Sequence, residues 1–200
     1  MNKRDVEILE SLRKFRVLDR DQLISMHFQG NADSIQSCNK VMKRLSRDKR
    51  VEVDPGARPY NYFPDGSAMK KNSTKIPHFK AIGDFYIDIS TVLRPKVFEV
   101  EYKTGSKGSV EPDIYMIWNK IPFFVEIQRN IYSKKVMERK LERYKDYYSS
   151  GLWKERMKFF PYLWIITEHV YLLNFEPLKV YQTKTVNEMI NTYMVKQGAG

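Results

Sequence analysis

Two apolar runs, Ile114–Trp118 and Ile121–Ile127, are separated only by Asn119 and Lys120. A two-residue connection between strand-like runs predicts a tight β-hairpin. Asp113 opens the first run after Glu111 and Pro112, and Glu126-Ile127-Gln128 closes the second. Strand side chains alternate faces, so Glu126 and Gln128 point one way while Phe123, Val125 and Ile127 point the other. Pairing the two runs brings Asp113 near Glu126, and two carboxylates and an amide converge at one end of a sheet. Such hard oxygen ligands suit Mg²⁺, which takes few protein carboxylates and completes its shell with water and phosphate.

The surrounding elements complete an α/β order. Residues 77–93 predict a helix with Phe79, Ile82, Phe85 and Ile89 as its apolar stripe; Asp84 and Asp88 stand one turn apart. Residues 96–103 alternate as a strand, with Phe98, Val100 and Tyr102 opposite Glu99, Glu101 and Lys103. The stretch 105–109 reads as a turn into the hairpin. Residues 133–149 predict a helix with Met137, Leu141, Tyr144 and Tyr148 facing the sheet and a basic outer face. The continuous apolar run 161–167 predicts a strand buried on both faces, and 179–183 a final edge strand.

The first third of the chain has a different pattern. Ile8, Leu12 and Phe15 mark a helix over 5–16, and Asp19-x-x-Gln22 is a capping box opening a second one. Gly30-Asn31 breaks it. A third helix carries Ile35, Cys38, Val41, Met42 and Leu45 on one stripe. Val51 to Val53 and Tyr60 to Tyr62 flank a Pro55-Gly56 turn as a hairpin. Three short helices followed by a β-hairpin describe a winged helix-turn-helix. Its third helix would enter the major groove with Asn31, Ser34, Ser37 and Lys40 towards the bases, flanked by Lys43, Arg44 and Arg47; Arg58 near the hairpin tip would reach an adjacent phosphate. These readings divide the chain into 1–63, a Gly/Ser/Lys/Pro-rich linker over 64–77, and a second domain over 78–200.

The formal net charge of +11 favours a polyanionic partner, since each neutralised phosphate releases counterions. The surplus is clustered, once on the third helix and once around Arg129, Lys134 and Lys135 and along the helix that follows. DNA is therefore the expected partner. No apolar run approaches the roughly 20 residues a membrane span needs, and the start of the chain does not read as a signal peptide. One cysteine, Cys38, precludes an intramolecular disulfide and fits a cytoplasmic setting. The three histidines are scattered without zinc-ligand spacing, and no phosphate-binding glycine loop or Ser-His-Asp order is visible.

Pro112-Asp113 with Glu126-Ile127-Gln128 resembles the PD-(D/E)xK nuclease signature, with glutamine at the usual lysine position. With the winged helix, the His78-x-x-x-Ile82-x-Asp84 helix, the strand around Glu101 and the basic helix with Lys140 and Tyr144, the chain is similar to the replication-relaxation family of plasmids and mobile elements. Its usual acidic residue two after the strand glutamate is Gln128 here. The resemblance implies a mixed sheet flanked by helices. It also implies a catalytic group of Asp113, Glu126 and Gln128, with Asp84 or Glu101 as a third carboxylate. Mg²⁺ or Mn²⁺ would be held by Asp113, Glu126 and the Ile127 carbonyl, with Lys103, Arg129 or Lys134 supplying the missing cation. The function this implies is metal-dependent cleavage of plasmid or phage DNA. The alternative is a non-catalytic DNA-binding protein that uses the nuclease-like domain to hold DNA or to form a homodimer.

Overall fold

A computed structural model describes residues 1–105 and 109–194, so the middle of the 105–109 turn lies outside the described residues. The chain is mixed α and β, and its contacts group it into two units, Met1–Asp88 and the chain from Ile89 on. The division falls inside a helix.

In the first unit, α1 (Lys3–Phe15) opens with a capping box between Asn2 and Asp5. A two-residue strand β1 (Leu18–Asp19) leads directly into α2 (Arg20–His27). The capping box read from Asp19 and Gln22 is present: Asp19 Oδ1 accepts from the Gln22 N–H at 2.9 Å, and Gln22 Oε1 from the Asp19 N–H at 3.1 Å. Helix α3 (Ser34–Arg47) starts at Asp33, whose carboxylate accepts from the Gln36 N–H. The hairpin β2 (Val51–Asp54) and β3 (Asn61–Pro64) forms, and β1 joins it as a third antiparallel strand, which the sequence pattern did not reveal. Cys38, Met42 and Leu45 are buried as expected, whereas Ile35 is 50% exposed.

Helix α4 (Ile76–Val92) begins in this unit and crosses its boundary. Gly83 is unfavourable to the helix by about 1 kcal/mol relative to alanine, yet it has a packing reason. A Cβ there would lie 3.0 Å from both Gln22 Nε2 and Leu18 Cδ2. The space it leaves lets Gln22 Nε2 donate to the Lys80 carbonyl at 2.8 Å and to Asp84 Oδ1 at 2.6 Å.

The second unit is built on a five-stranded mixed sheet in the order β4-β5-β6-β7-β8. These are β4 (Val97–Val100), β5 (Ile114–Trp118), β6 (Ile121–Ile127), β7 (Tyr162–Ile166) and β8 (Val180–Thr183). The β4–β5–β6 pairs are antiparallel, whereas β6–β7 and β7–β8 are parallel. Asn119 and Lys120 both adopt positive φ, as the two-residue hairpin demands. Helix α5 (Lys134–Ser150) covers one face through Met137, Leu141, Tyr144 and Tyr147. Trp118, Phe123 and Trp164 meet on the other face, with ring centroids 5.9–6.4 Å apart. Tyr148, expected to face the sheet, instead stacks on Trp153 where the chain turns back after Gly151. Strand β4 ends early because Glu101 has a φ of 51°, which breaks the alternation before Tyr102.

The first unit contains one charged pair that fixes its packing. Asp5 is 1% exposed, and both its oxygens accept from Arg44, at 2.7 and 3.1 Å. The Arg44 guanidinium holds the Asp5 carboxyl below its ordinary value of 3.8. A lowered carboxyl contributes stability above its ordinary value and loses it as pH falls through the folded one. Arg44→Ala should therefore lower the melting temperature at neutral pH and much less in acid, measured by circular dichroism across a pH series.

Candidate functional site

Strand register alone brings the two carboxylates together. Ile114 pairs with Val125, so Asp113 stands across from Glu126 one step beyond the pairing. Asp113 is anchored there: its Oδ2 accepts from the Ile127 N–H at 2.8 Å, and its carbonyl from the Glu101 N–H at 2.8 Å. Its charge is felt at Glu126, Lys140 and Tyr144. Glu126 points to the α5 face with Phe124, as strand alternation requires.

Helix α5 then closes over Glu126. Lys140 Nζ and Tyr144 Oη, one helical turn apart, each donate to one of its carboxylate oxygens at 2.5 Å. The Glu126 side chain is 2% exposed, while Lys140 is 32% exposed, its ammonium at the edge of the buried zone. Burial pushes Glu126 up to about 7, with Asp113 adding to the rise and Lys140 and Tyr144 opposing it. Burial works against the Lys140 ammonium as well, but the Glu126 and Asp113 charges outweigh it and raise the amine. Tyr144 is raised well above the ordinary phenol value by burial and then by Glu126, so it acts as a hydrogen-bond donor.

Lys140 is the cation that sequence reasoning missed in this role. The sequence pattern points to Lys103, Arg129 or Lys134, but the residue that reaches Glu126 comes from within α5. A signal was present: Lys140 and Tyr144 are spaced i, i+4 on the sheet-facing edge of an otherwise basic helix. Gln128 also turns towards α5, where its Nε2 lies 2.7 Å from Met137 Sδ and its Oε1 is buried without a hydrogen-bond partner.

Asp84 belongs to the first unit, where it accepts from Gln22. Glu101 adopts a positive φ, and no group of three or more acidic, His or Cys side chains suited to a metal occurs among the described residues. The residues expected to hold Mg²⁺ or Mn²⁺ were Asp113, Glu126 and the Ile127 carbonyl. They do not fit a hydrated divalent ion, because both Glu126 oxygens are engaged and an ammonium lies where a cation would have to approach.

The first unit presents a second candidate surface. Gln36, Asn39, Lys40, Lys43 and Arg47 are exposed on α3, Asn31, Ser34 and Ser37 are half-buried beside them, and the 14-residue helix carries no acid. Gln36 and Asn39 do not stand out in the sequence pattern. Arg44 was expected on this surface and is turned to Asp5 instead. At the hairpin tip, Arg58 donates to the Pro55 and Ala57 carbonyls and lies 4.7 Å from the Tyr60 ring centroid. Arg129, Lys134 and Lys135 are exposed in the second unit, before and at the start of α5; Lys134 pairs loosely with Glu138 at 3.8 Å.

Three helices with a β-hairpin, followed by a five-stranded mixed sheet carrying an Asp–Glu–Lys–Tyr centre around the buried Glu126, define the class of chain. It belongs to the replication-relaxation family, whose model matches residues 56–163, from the hairpin tip through α4 and α5 into β7. No curated protein and no solved structure matches it. Among the described residues, no helix is long and apolar enough to cross a membrane.

Removing one partner of a buried ion pair leaves the other charge uncompensated. Lys140→Ala should thus destabilise the protein by about 3 kcal/mol, the lower end of that range because the lysine is partly exposed. The double variant Glu126→Leu/Lys140→Met should recover most of the loss, as read by chemical denaturation. Glu126 is raised from an ordinary 4.5 to about 7. Its contribution is therefore present below the lower value and lost as pH rises through the upper one. That part of the wild-type pH dependence should be missing in the double variant.

Proposed function

We propose that this protein binds duplex DNA through α3 and the adjoining hairpin, in the replication or relaxation of a plasmid- or phage-like element. The second unit serves as a non-catalytic scaffold. The observation that carries the DNA reading is the exposed face of α3. It bears amides and cations with no acid, beside an exposed Ile35. Asn and Gln can pair bidentately with adenine in the major groove, and an apolar side chain suits the thymine methyl. Lys40, Lys43 and Arg47 would engage phosphates, which position the helix without reading sequence.

The non-catalytic reading rests on Glu126. A carboxylate that is 2% exposed, with both oxygens satisfied, is not available to a metal or to a scissile phosphate. Metal-dependent endonuclease activity is the second reading, favoured by the adjacency of Asp113 and Glu126. Under it, Glu126 would have to exchange Lys140 and Tyr144 for a metal shell.

The test is fluorescence anisotropy with duplex DNA over a salt series. Lys40→Ala/Lys43→Ala should weaken binding and flatten the log–log salt slope by about 0.9 for each phosphate no longer neutralised. Arg44 is left intact because it holds the fold. An unchanged slope in the double variant would remove the DNA reading. Incubation with supercoiled plasmid and Mg²⁺ or Mn²⁺ should leave the plasmid intact. Nicking abolished by Asp113→Ala would establish the endonuclease reading instead.

A further inference from the structure

A groove runs between α3 and the hairpin within the first unit, and its lining is unusual for a surface that meets only duplex backbone. Its walls include Met42, Val53, Pro59 and Tyr62, an apolar floor for which phosphates have no use. Its charged lining residues are Arg20, Lys43, Arg58 and Lys71, with no carboxylate among them. Arg20 is already paired with Asp21 at 2.9 Å. Lys43 and Lys71 are exposed on the rim. Tyr60 is 39% exposed at the groove, and the Arg58 guanidinium lies over its ring with Nη1 held by two hairpin carbonyls.

Cations around an apolar floor with an aromatic platform match the chemistry of unpaired nucleotides. Each has a phosphate for a cation and a flat base face that a duplex keeps stacked inside. We propose that this groove holds single-stranded DNA, one base stacking on the Tyr60–Arg58 platform and the flanking phosphates on Lys43 and Lys71. The inference deepens the DNA-binding reading. The duplex is read by the outer face of α3 at Gln36 and Lys40 and the single strand by the groove beside it, with Asn39 and Lys43 on the edge the two surfaces share. A protein with both surfaces can hold a junction where duplex opens into a single strand.

The experiment uses the full chain and two labelled probes, a single-stranded oligothymidylate and a duplex of mixed sequence, each followed by anisotropy. Tyr60→Ala should weaken oligothymidylate binding by about tenfold or more, as removal of one base stack implies, and leave duplex binding unchanged. Tyr60→Phe keeps the ring and should bind as wild type. Lys40→Ala should show the converse, losing duplex affinity more than oligothymidylate affinity. Oligothymidylate binding that is absent, or that is equal in Tyr60→Ala and wild type, overturns the inference. If the duplex still binds in that case, the duplex reading stands without it; if neither probe binds, both fall. Thermal melting of Tyr60→Ala at the wild-type temperature establishes that any loss is not unfolding.

Discussion

Burying the Glu126 carboxylate sets the terms for the whole second unit. An ionised carboxylate taken out of water is strongly unfavourable unless its oxygens are satisfied and its charge is met. The sheet alone cannot meet it, because the neighbouring strand offers Asp113, another negative charge. The compensation comes from α5, which must lie where Lys140 and Tyr144 both reach Glu126. That demand fixes the helix against β6 in both rotation and translation, and the apolar contacts of Met137, Leu141 and Tyr147 fill in around it. The closure that stabilises the centre also denies it an open coordination position. In a metal enzyme such a position must be kept free.

A parallel arrangement operates in the first unit. Asp5 is buried on α1, where its carboxylate caps the helix through the Asn2 N–H and both its oxygens accept from Arg44 on α3. One cation of the basic helix is thereby committed to packing, and Lys40, Lys43 and Arg47 are left facing outward. The separation of holding charges from presented charges gives the helix a defined orientation. Under the proposed DNA reading, a fixed α3 face would discriminate between base edges, whereas a mobile basic segment would give charge attraction alone.

Much of the fold is written locally. The two-residue Asn119-Lys120 spacing, the apolar run of β7 and the Asp19–Gln22 capping box each act over a few residues, and each is found where the pattern places it. The approach of Asp113 to Glu126 is legible for the same reason, since strand alternation and a tight turn determine it. What escaped depends on partners far along the chain. Arg44 reads as one more basic residue until Asp5, 39 positions earlier, is seen beside it. Lys140 is one of several lysines on α5 until the helix is docked. Glu101 falls on the predicted strand, but its left-handed backbone is a tertiary outcome that alternation cannot foresee. Gly83 reads as a weakness in a helix, and only the approach of Gln22 and Leu18 gives it a reason.

If the protein's own ammonium closes the carboxylate centre to metal, calorimetric titration of Mn²⁺ into the protein at neutral pH should show it. The wild type should give no saturable heat beyond dilution. Lys140→Ala should gain the capacity to bind, because it unmasks Glu126 beside Asp113. Stoichiometric Mn²⁺ binding by the wild type that disappears in Glu126→Gln would refute the closure and return the centre to metal chemistry.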